Sequence, residues 1–406
     1  MAGLAAAAGT ASGMVCCGII ALCYGLFRCC MFSSGLASLK QPGFHWLFDR
    51  LTKMPHLVVS ISGHGFGHVA QTAPVLNTLP KLPGLRITVR SAVPHSHLRS
   101  RIHAPFVHLS SEGDIGMVMS SALDVLAKES SAAYRAFHAD WDKRVADEAR
   151  LLRELGADFV FSNVGYLPLA GAQRAGIPNA ALCSLNWADI YRHYFGEDAI
   201  AAQIYGCYAN ADAFLRTTPG MTMTGLPNLI PVAPIAAVGT DRRAELNRRL
   251  DLSTDEKLVL VSLGGIASRL PMERWPRLAG VRWLVQDNWH VEHPDAVILE
   301  TVQMSFGDLL ASSDALICKP GYGSFVEAAG CGVPVLYVNR ADWPESPFLI
   351  SWLQQNGLCR EVSRDAMERG NIAEVLEEIW NSPRPEPAVP KGAEQVAEWL
   401  AEKLDL

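Results

Sequence analysis

From residue 54 onward, short apolar runs alternate with longer segments in which apolar residues recur every three or four positions. The short runs end at turn residues, which predicts buried strands. In the first half of the chain they lie at residues 56–62, 86–90, 106–110, 158–162 and 179–183. Helical patterns lie between them, at residues 69–79, 122–155 and 166–175. This alternation predicts an α/β fold built on a doubly wound parallel sheet.

The second half of the chain repeats the pattern. Strand patterns lie at residues 257–263, 281–285 and 296–299. Residues 314–338 predict a strand, a glycine turn, a short helix and a second strand, which together form a βαβ unit. The amphipathic pattern at residues 393–403 predicts a last helix that packs back on the first domain.

A chain of 406 residues is too long for one ordinary core and suits two domains of roughly 150 to 200 residues. Residues 217–240 are rich in Pro, Gly and Thr, which favours a connection between domains. We therefore expect one domain at residues 54–225, a second at residues 226–390, and a final helix within residues 391–406. We expect two domains joined in this way to form a cleft between them.

Composition narrows the class of protein. Hydrophobic residues make up 49% of the chain and charged residues 19%, which is typical of a globular protein. The net charge is −6 and no cluster of Lys and Arg with interleaved aromatic residues occurs, so we expect no nucleic-acid partner. No cysteine pair has the spacing of zinc ligands, so we expect no metal site.

Residues 1–53 differ from the rest, because no charged residue precedes Arg28 and half of the ten cysteines fall in the first thirty positions. Three interpretations stay open: a membrane anchor, a secretory signal, or a dispensable leader before a functional chain that begins at Met54. The sparse cysteines of the remaining chain are typical of a reduced, cytoplasmic protein. Membrane association through residues 1–53 is compatible with that localisation.

The first predicted strand runs into the glycine loop 63–68, which contains His64 and His68. Ligands of doubly wound sheets collect at the carboxyl ends of strands, and Asp114 also follows such an end. A histidine at a helix N-terminus tends to be neutral near pH 7 and can accept a proton. We predict His68 as the catalytic base, with His64 and Asp114 as alternatives. A buried histidine satisfied by the backbone is the competing structural interpretation.

Residues 321–327 begin the helix of the predicted βαβ unit. Gly321 and Gly323 allow a tight turn and the close approach of a ligand, and Ser324 opens a helix whose free N–H groups favour an anion such as phosphate. The same residues predict a capping box, in which Ser324 and Glu327 satisfy the helix N-terminus themselves. Both interpretations stay open from the residues alone.

Residues 319–327 resemble the donor-binding signature of GT-B glycosyltransferases, including the bacterial peptidoglycan GlcNAc transferase. With residues 63–69, 157–162, 186–191 and 342–349 in matching order, they resemble the glycosyltransferase-like N-terminal half of plant L-arabinokinases. Two departures stand out: Gln71 replaces an arginine of that family, and Asn163 replaces an aspartate. The chain contains no Gly-Leu-Ser-Ser-Ser phosphate loop of GHMP kinases, so the resemblance does not imply sugar-kinase activity.

The resemblance implies a GT-B fold, in which two Rossmann-like domains with parallel sheets face a central cleft. It implies that a nucleotide sugar, expected to be UDP-linked, lies against Gly264, Gly265, Gly321, Gly323 and Ser324. Glu327 would bind the ribose hydroxyls, and Asp342 and Glu345 would face the donor sugar. Glu345 also fits a second interpretation, as the cap of the helix that follows it.

We therefore predict a glycosyltransferase-like protein that binds a nucleotide sugar as co-substrate and transfers the sugar to an unidentified acceptor hydroxyl with inversion. No other cofactor is expected. Two alternatives stay open, a non-catalytic nucleotide-sugar-binding protein and a nucleotide-sugar epimerase or hydrolase of the same fold.

Overall fold

The computed structural model describes residues 54–79, 84–266 and 268–405. The three interpretations of residues 1–53 lie outside the described residues. Within the described ranges, no helix combines the length and the apolar character that crossing a membrane requires.

The first sheet consists of seven parallel strands in the order β3-β2-β1-β4-β5-β6-β7. The strands are β1 (His56–Ile61), β2 (Arg86–Arg90), β3 (Val107–Leu109), β4 (Phe159–Asn163), β5 (Asn179–Cys183), β6 (Ala213–Thr217) and β7 (Leu229–Val232). The helices around it are α1 (Gly67–Thr78), α2 (His95–Arg101), α3 (Ala127–Ala139), α4 (Trp141–Leu155), α5 (Tyr166–Ala175), α6 (Trp187–Phe195) and α7 (Ala199–Ala209). Every predicted strand of this half is present.

The second sheet consists of six parallel strands in the order β10-β9-β8-β11-β12-β13. The strands are β8 (Lys257–Ser262), β9 (Val281–Val285), β10 (Ala296–Ile298), β11 (Ala315–Cys318), β12 (Val335–Tyr337) and β13 (Cys359–Glu361). The helices are α8 (Arg243–Leu250), α9 (Phe306–Ala311), α10 (Tyr322–Cys331), α11 (Ser346–Asn356), α12 (Arg364–Arg369), α13 (Ala373–Asn381) and α14 (Gly392–Lys403). Short 3₁₀ turns lie at Met272–Arg274, Asp287–Trp289 and Leu299–Val302.

The central strands are buried on both faces, as parallel strands covered by helices must be. In β1, Leu57 and Val59 pack into the core under α1 and α2, whereas Val58 packs into a cluster on the opposite face. In β8, Val259 and Leu260 likewise enter two different clusters. The strands therefore read as continuous apolar runs rather than as alternating ones.

Two segments differ from the sequence prediction. The pattern at residues 122–155 forms two helices, α3 and α4, which are separated at Asp140. Strand β7 lies in the segment that we expected to be a connection and pairs with β6, so the first sheet extends beyond residue 225. Pro231 is tolerated there because β7 is an edge strand, which needs no ladder donor on its outer side.

The last helix returns to the first sheet, as its amphipathic pattern predicts. In α14, Val396 and Leu400 are fully buried in the core that contains Val232 of β7. The chain therefore crosses between the two sheets twice, once after β7 and once before α14.

Candidate functional site

Each sheet reverses its strand order at one place, and such a switch point opens a crevice at the carboxyl ends of the two adjacent strands. In the first sheet the reversal falls between β1 and β4, so the glycine loop 63–67 and Asn163 share that crevice. In the second sheet it falls between β8 and β11, which brings Gly264 and Lys319 together. The predicted site residues thus come from the carboxyl ends of both sheets.

The two switch points are in direct contact. A Cβ atom built on Gly265 would lie 2.6 Å from the ring of Phe66, and one built on Gly323 would lie 2.7 Å from Cβ of Ala70. Both distances are shorter than real Cβ contacts, so these two glycines let the second domain approach α1. Of the glycines predicted to meet the nucleotide, Gly265 lies against Phe66 and Gly323 lies against Ala70.

His68 is the second residue of α1 and is 6% exposed. Its Nδ1 lies 2.9 Å from Oδ1 of Asn163 and 3.8 Å from Sγ of Cys183. Burial lowers the pKa of His68 to about 4, although the hydrogen bond to Asn163 opposes the shift, and the positive charge of Lys319 lowers it further. The ring is therefore neutral at pH 7, which a general base requires.

His64 lies between two tryptophans, edge-on to Trp187 at 5.2 Å and stacked on Trp343 at 5.9 Å. The residue keeps some solvent exposure, whereas its Nε2 is buried and has no hydrogen-bond partner among the described residues. Burial lowers the pKa of His64 to about 3, with His68 and Arg340 acting in the same direction. A buried Nε2 without a partner marks a position where a ligand group would be accommodated.

Asp114 has a different environment from the two histidines. Its Oδ1 accepts a hydrogen bond from Oγ of Ser62 at 3.0 Å, and its Oδ2 accepts one from Nε1 of Trp187 at 2.7 Å. Burial raises the pKa of Asp114 to about 6, and these two hydrogen bonds oppose the shift. Both oxygens are engaged, so Asp114 holds Trp187 against His64 and makes no hydrogen bond to His68.

The capping-box interpretation of residues 324–327 is wrong. Helix α10 begins at Tyr322, with Gly321 at the N-cap position and no side chain capping it. Ser324 lies inside the first turn, and Glu327 forms a buried ion pair with Arg101 of α2. Burial raises the pKa of Glu327, and the guanidinium of Arg101 opposes that shift. Glu327 therefore joins the second domain to the first.

Two acidic residues precede the body of α11, one of them exposed and the other buried. Asp342 is exposed, and its backbone carbonyl accepts a hydrogen bond from the hydroxyl of Tyr194 at 2.8 Å. Glu345 is 6% exposed; its Oε1 accepts from Oγ of Ser184 at 2.5 Å, and its Oε2 accepts from Nε1 of Trp343 at 3.1 Å. Glu345 occupies the N-cap position of α11, as the capping interpretation predicts, but its side chain makes no hydrogen bond to the N-terminus of that helix.

Two cations of the site were missed in the sequence analysis, although both follow strand ends of the second sheet. Arg340 is 4% exposed, its Nε and Nη2 have no partner among the described residues, and its Cζ lies 4.2 Å from the ring centre of Trp343. Lys319 lies beside Gly321 and Gly264. Burial lowers the pKa of Lys319 to about 8, and Arg340 acts in the same direction, so the ammonium is still largely charged at pH 7.

A buried cation is costly unless a negative charge neutralises it. Two guanidinium nitrogens of Arg340 have no hydrogen-bond partner among the described residues, although the carboxylate of Glu345 acts favourably on both cations. Lys319 lies beside the glycine turn at the start of α10, whose N–H groups also favour negative charge. The arrangement thus suits a phosphate-bearing ligand. The described residues contain no cluster of three His, Cys, Asp or Glu side chains that could hold a metal ion.

Two sheets with facing switch points define a two-domain α/β protein of the GT-B class. Among solved structures, the chain is similar to UGT89C1 of Arabidopsis thaliana complexed with quercetin, with a TM-score of 0.57, 15% identity, and coverage of 87% of this chain and 100% of that one. It is equally similar to the S. aureus MnaA–UDP complex, with a TM-score of 0.57, 12% identity, and coverage of 87% and 98%. The predicted GT-B fold is confirmed.

Among curated proteins, the chain is similar to L-arabinokinase of Arabidopsis thaliana, with 26% identity over 332 residues that cover 79% of this chain. These residues make up 32% of the relative, so the chain spans about a third of that protein's length. No protein-family model matches the chain. The predicted resemblance to L-arabinokinase is therefore confirmed as a similarity of one part of that protein.

Proposed function

We propose that the protein binds a nucleotide sugar between its two sheets and transfers the sugar to an acceptor hydroxyl with inversion at the anomeric carbon. The observation that carries this proposal is the pair of cations, the half-buried Lys319 and the buried Arg340, on the opposite side of the interface from a neutral His68. UDP in the S. aureus neighbour supports a uridine nucleotide. The similarity to a sugar-processing plant protein supports a sugar as the transferred group.

The second domain binds the donor in this proposal. Lys319 and Arg340 neutralise the pyrophosphate, and the glycine turn at Gly321 lets it approach the N-terminus of α10. Gly264 adopts φ +86°, a conformation that glycine tolerates, and keeps the neighbouring loop free of a side chain beside Lys319. Glu327 contacts the ribose hydroxyls only when it leaves Arg101, so donor binding and this interdomain ion pair compete.

The first domain performs the proton transfer. Nε2 of His68 accepts the proton of the acceptor hydroxyl as the acceptor oxygen forms its bond to the anomeric carbon. The bond between that carbon and the pyrophosphate oxygen breaks with its electron pair on the leaving nucleoside diphosphate. Lys319 and Arg340 stabilise the negative charge that develops there, and one such displacement inverts the anomeric configuration.

The sugar lies between the two domains in this arrangement. The carboxylate of Asp342 is exposed, and in this proposal it accepts hydrogen bonds from sugar hydroxyls. His64 presents its unpartnered Nε2 to the same space. Asp114 acts indirectly, because it holds the Trp187 ring that packs against His64.

Binding is tested before turnover. UDP and a panel of UDP-sugars are titrated against the full chain and the melting temperature is followed, because a ligand of the folded state raises it by mass action. In Arg340→Met, we expect the affinity for UDP to fall about tenfold or more, since a charged hydrogen bond contributes about 1.5 to 3 kcal/mol. Arg384→Met changes an exposed arginine and should bind UDP as the unaltered protein does.

The outcomes separate the three functional classes. If neither UDP nor any UDP-sugar stabilises the protein, nucleotide-sugar binding is rejected. Turnover that requires an added acceptor supports transfer. Release of UDP or isomerisation of the sugar without an acceptor favours the hydrolase or epimerase, and binding without turnover favours the non-catalytic protein.

A further inference from the structure

A continuous chain of buried side chains connects His68 to the second domain. Nδ1 of His68 meets Oδ1 of Asn163 at 2.9 Å, and Nδ2 of Asn163 donates to Oε1 of Gln71 at 3.0 Å. Nε2 of Gln71 donates to Oγ of Ser184 at 2.8 Å, and that hydroxyl donates to Oε1 of Glu345 at 2.5 Å. All five residues are at most 6% exposed, so solvent does not compete for these hydrogen bonds.

The chain has one direction, which is set at the Glu345 end. Both oxygens of Glu345 accept hydrogen bonds, one from Oγ of Ser184 and the other from Nε1 of Trp343. A carboxylate accepts hydrogen bonds and donates none, so the proton of the Ser184 hydroxyl points to Glu345. The hydroxyl oxygen can then only accept, which requires the amide nitrogen of Gln71 on that side. The carbonyl oxygen of Gln71 then faces Asn163 and requires its amide nitrogen. The carbonyl oxygen of Asn163 is therefore left facing His68.

An acceptor at Nδ1 requires a proton on Nδ1. We propose that Glu345 is a positioning residue that, through Ser184, Gln71 and Asn163, holds neutral His68 with its proton on Nδ1 and its lone pair on Nε2. The role of that lone pair in catalysis rests on the proposed function, whereas the tautomer itself does not.

Two neighbouring contacts agree with this direction. Nε1 of Trp343 donates to the second oxygen of Glu345 at 3.1 Å, which leaves the first oxygen to Ser184. The positive charges of Arg340 and Lys319 interact favourably with the carboxylate of Glu345. Cys183 approaches Nδ1 of His68 only at 3.8 Å, so Asn163 is the stronger acceptor there.

The connection crosses from one sheet to the other between Ser184 and Glu345. If the domains separate, Ser184 loses the acceptor that fixes its proton, and both amides are free to reverse. The base is therefore set in its reactive tautomer only when the second domain is in place. Because Gln71 and Asn163 are neutral, no second buried charge is needed next to the imidazole.

The tautomer is measured directly by nitrogen NMR on the full chain labelled with ¹⁵N-histidine, because protonated and unprotonated ring nitrogens have well-separated shifts. Loss of signals in His68→Gln identifies those of His68. The test variant is Ser184→Ala, which removes the hydroxyl between Gln71 and Glu345. Ser346→Ala is the matched control, because its hydroxyl is equally buried and has no partner among the described residues.

In the unaltered protein and in the control, we expect Nδ1 of His68 to be protonated and Nε2 to be unprotonated. In Ser184→Ala, the Nε2 signal should move towards the protonated range. If Nε2 is protonated in the unaltered protein, or if Ser184→Ala leaves the shifts unchanged, the proposal is overturned. If Ser184→Ala fails to fold, two other variants test the proposal. Ser184→Thr keeps the hydroxyl and must show the nitrogen shifts of the unaltered protein, whereas Glu345→Ala must show the altered shifts.

Turnover separates this proposal from the proposed function. In a transferase assay, Ser184→Ala should lower kcat about tenfold or more and leave the affinity for UDP unchanged. The loss should stay below the ~10⁴-fold effect of a histidine held wholly in the wrong tautomer. An altered tautomer in a protein that transfers no sugar rejects the transferase function and retains the positioning role. An unaltered tautomer in an active transferase rejects the positioning role alone.

Discussion

The neutral, buried ring of His68 should make the stability of the protein depend on pH in a defined window. The pKa of His68 is about 4 in the folded protein, below its ordinary value of 6.5. Below pH 6.5 the unfolded chain therefore binds a proton at His68, whereas the folded protein binds that proton only near pH 4. The stability that the neutral ring contributes is fully present above this pH range and is lost as the pH falls through the range.

The expected magnitude follows from the width of the window. Each pKa unit corresponds to about 1.36 kcal/mol, so His68 alone should cost about 3 kcal/mol of folding free energy between pH 7 and pH 4. His64 and His97, whose pKa values are also lowered, act in the same direction, and Asp114, whose pKa is raised, acts in the opposite one. These groups remain in a His68 variant, so the difference between the two proteins reports mainly on His68, together with the effect of His68 on the pKa of His64.

The measurement is urea denaturation of the unaltered protein and of His68→Gln at several pH values from 7 to 4. We expect the free energy of unfolding of the unaltered protein to fall by about 3 kcal/mol more than that of the variant over this range. His103→Gln is the control, because that side chain is exposed in the folded protein as well. If the curves of His68→Gln and of the unaltered protein run parallel, burial does not keep the ring neutral and the assignment of His68 as a base at pH 7 loses its physical reason.

Two further predictions concern the contacts between the domains. Arg101→Ala leaves the carboxylate of Glu327 buried and unpaired, so the free energy of unfolding in urea should fall by about 3 kcal/mol. Adding Glu327→Gln to that variant should restore part of the lost stability. If the two changes instead lower the free energy of unfolding additively, Arg101 and Glu327 are not paired. Gly323→Ala places a Cβ 2.7 Å from Ala70, so the melting temperature should fall, with an overpacking cost of about 1 to 3 kcal/mol. Ala70→Gly in the same chain should relieve it, and an unchanged melting temperature in Gly323→Ala would show that α1 and α10 are not in close contact.

The elements near the switch points could be predicted because local pattern determines them. Strand β1 is a largely apolar run followed by glycines, and a strand of that kind is buried wherever it lies in a parallel sheet. The same reasoning placed His68 at the start of a helix. Edge strand β7 was missed because Pro231 within it and the prolines on either side of it are typical of a connection, and only pairing with β6 shows that it is a strand.

The partners of the site residues could not be predicted, because they depend on how the two sheets approach each other. Glu327 and its partner Arg101 are 226 positions apart, and Ser184 and Glu345 are 161 positions apart. Residues 324–327 match a capping box, yet the helix begins at Tyr322, and no local pattern excluded that start. Side chains predicted from their own neighbours as caps are thus joined to the opposite domain.

The two crossings of the chain between the sheets lie side by side. The N–H of Gly392, at the start of α14, donates to the carbonyl of Pro234 at 2.9 Å, and the Gln395 side chain accepts from the N–H of Ala233 at 2.9 Å. Two adjacent connections allow the domains to rotate about the line that joins the connections, and they resist twisting of one domain against the other. Opening of the domains should therefore follow a single arc, along which Arg101 leaves Glu327 and Ser184 leaves Glu345 in one movement.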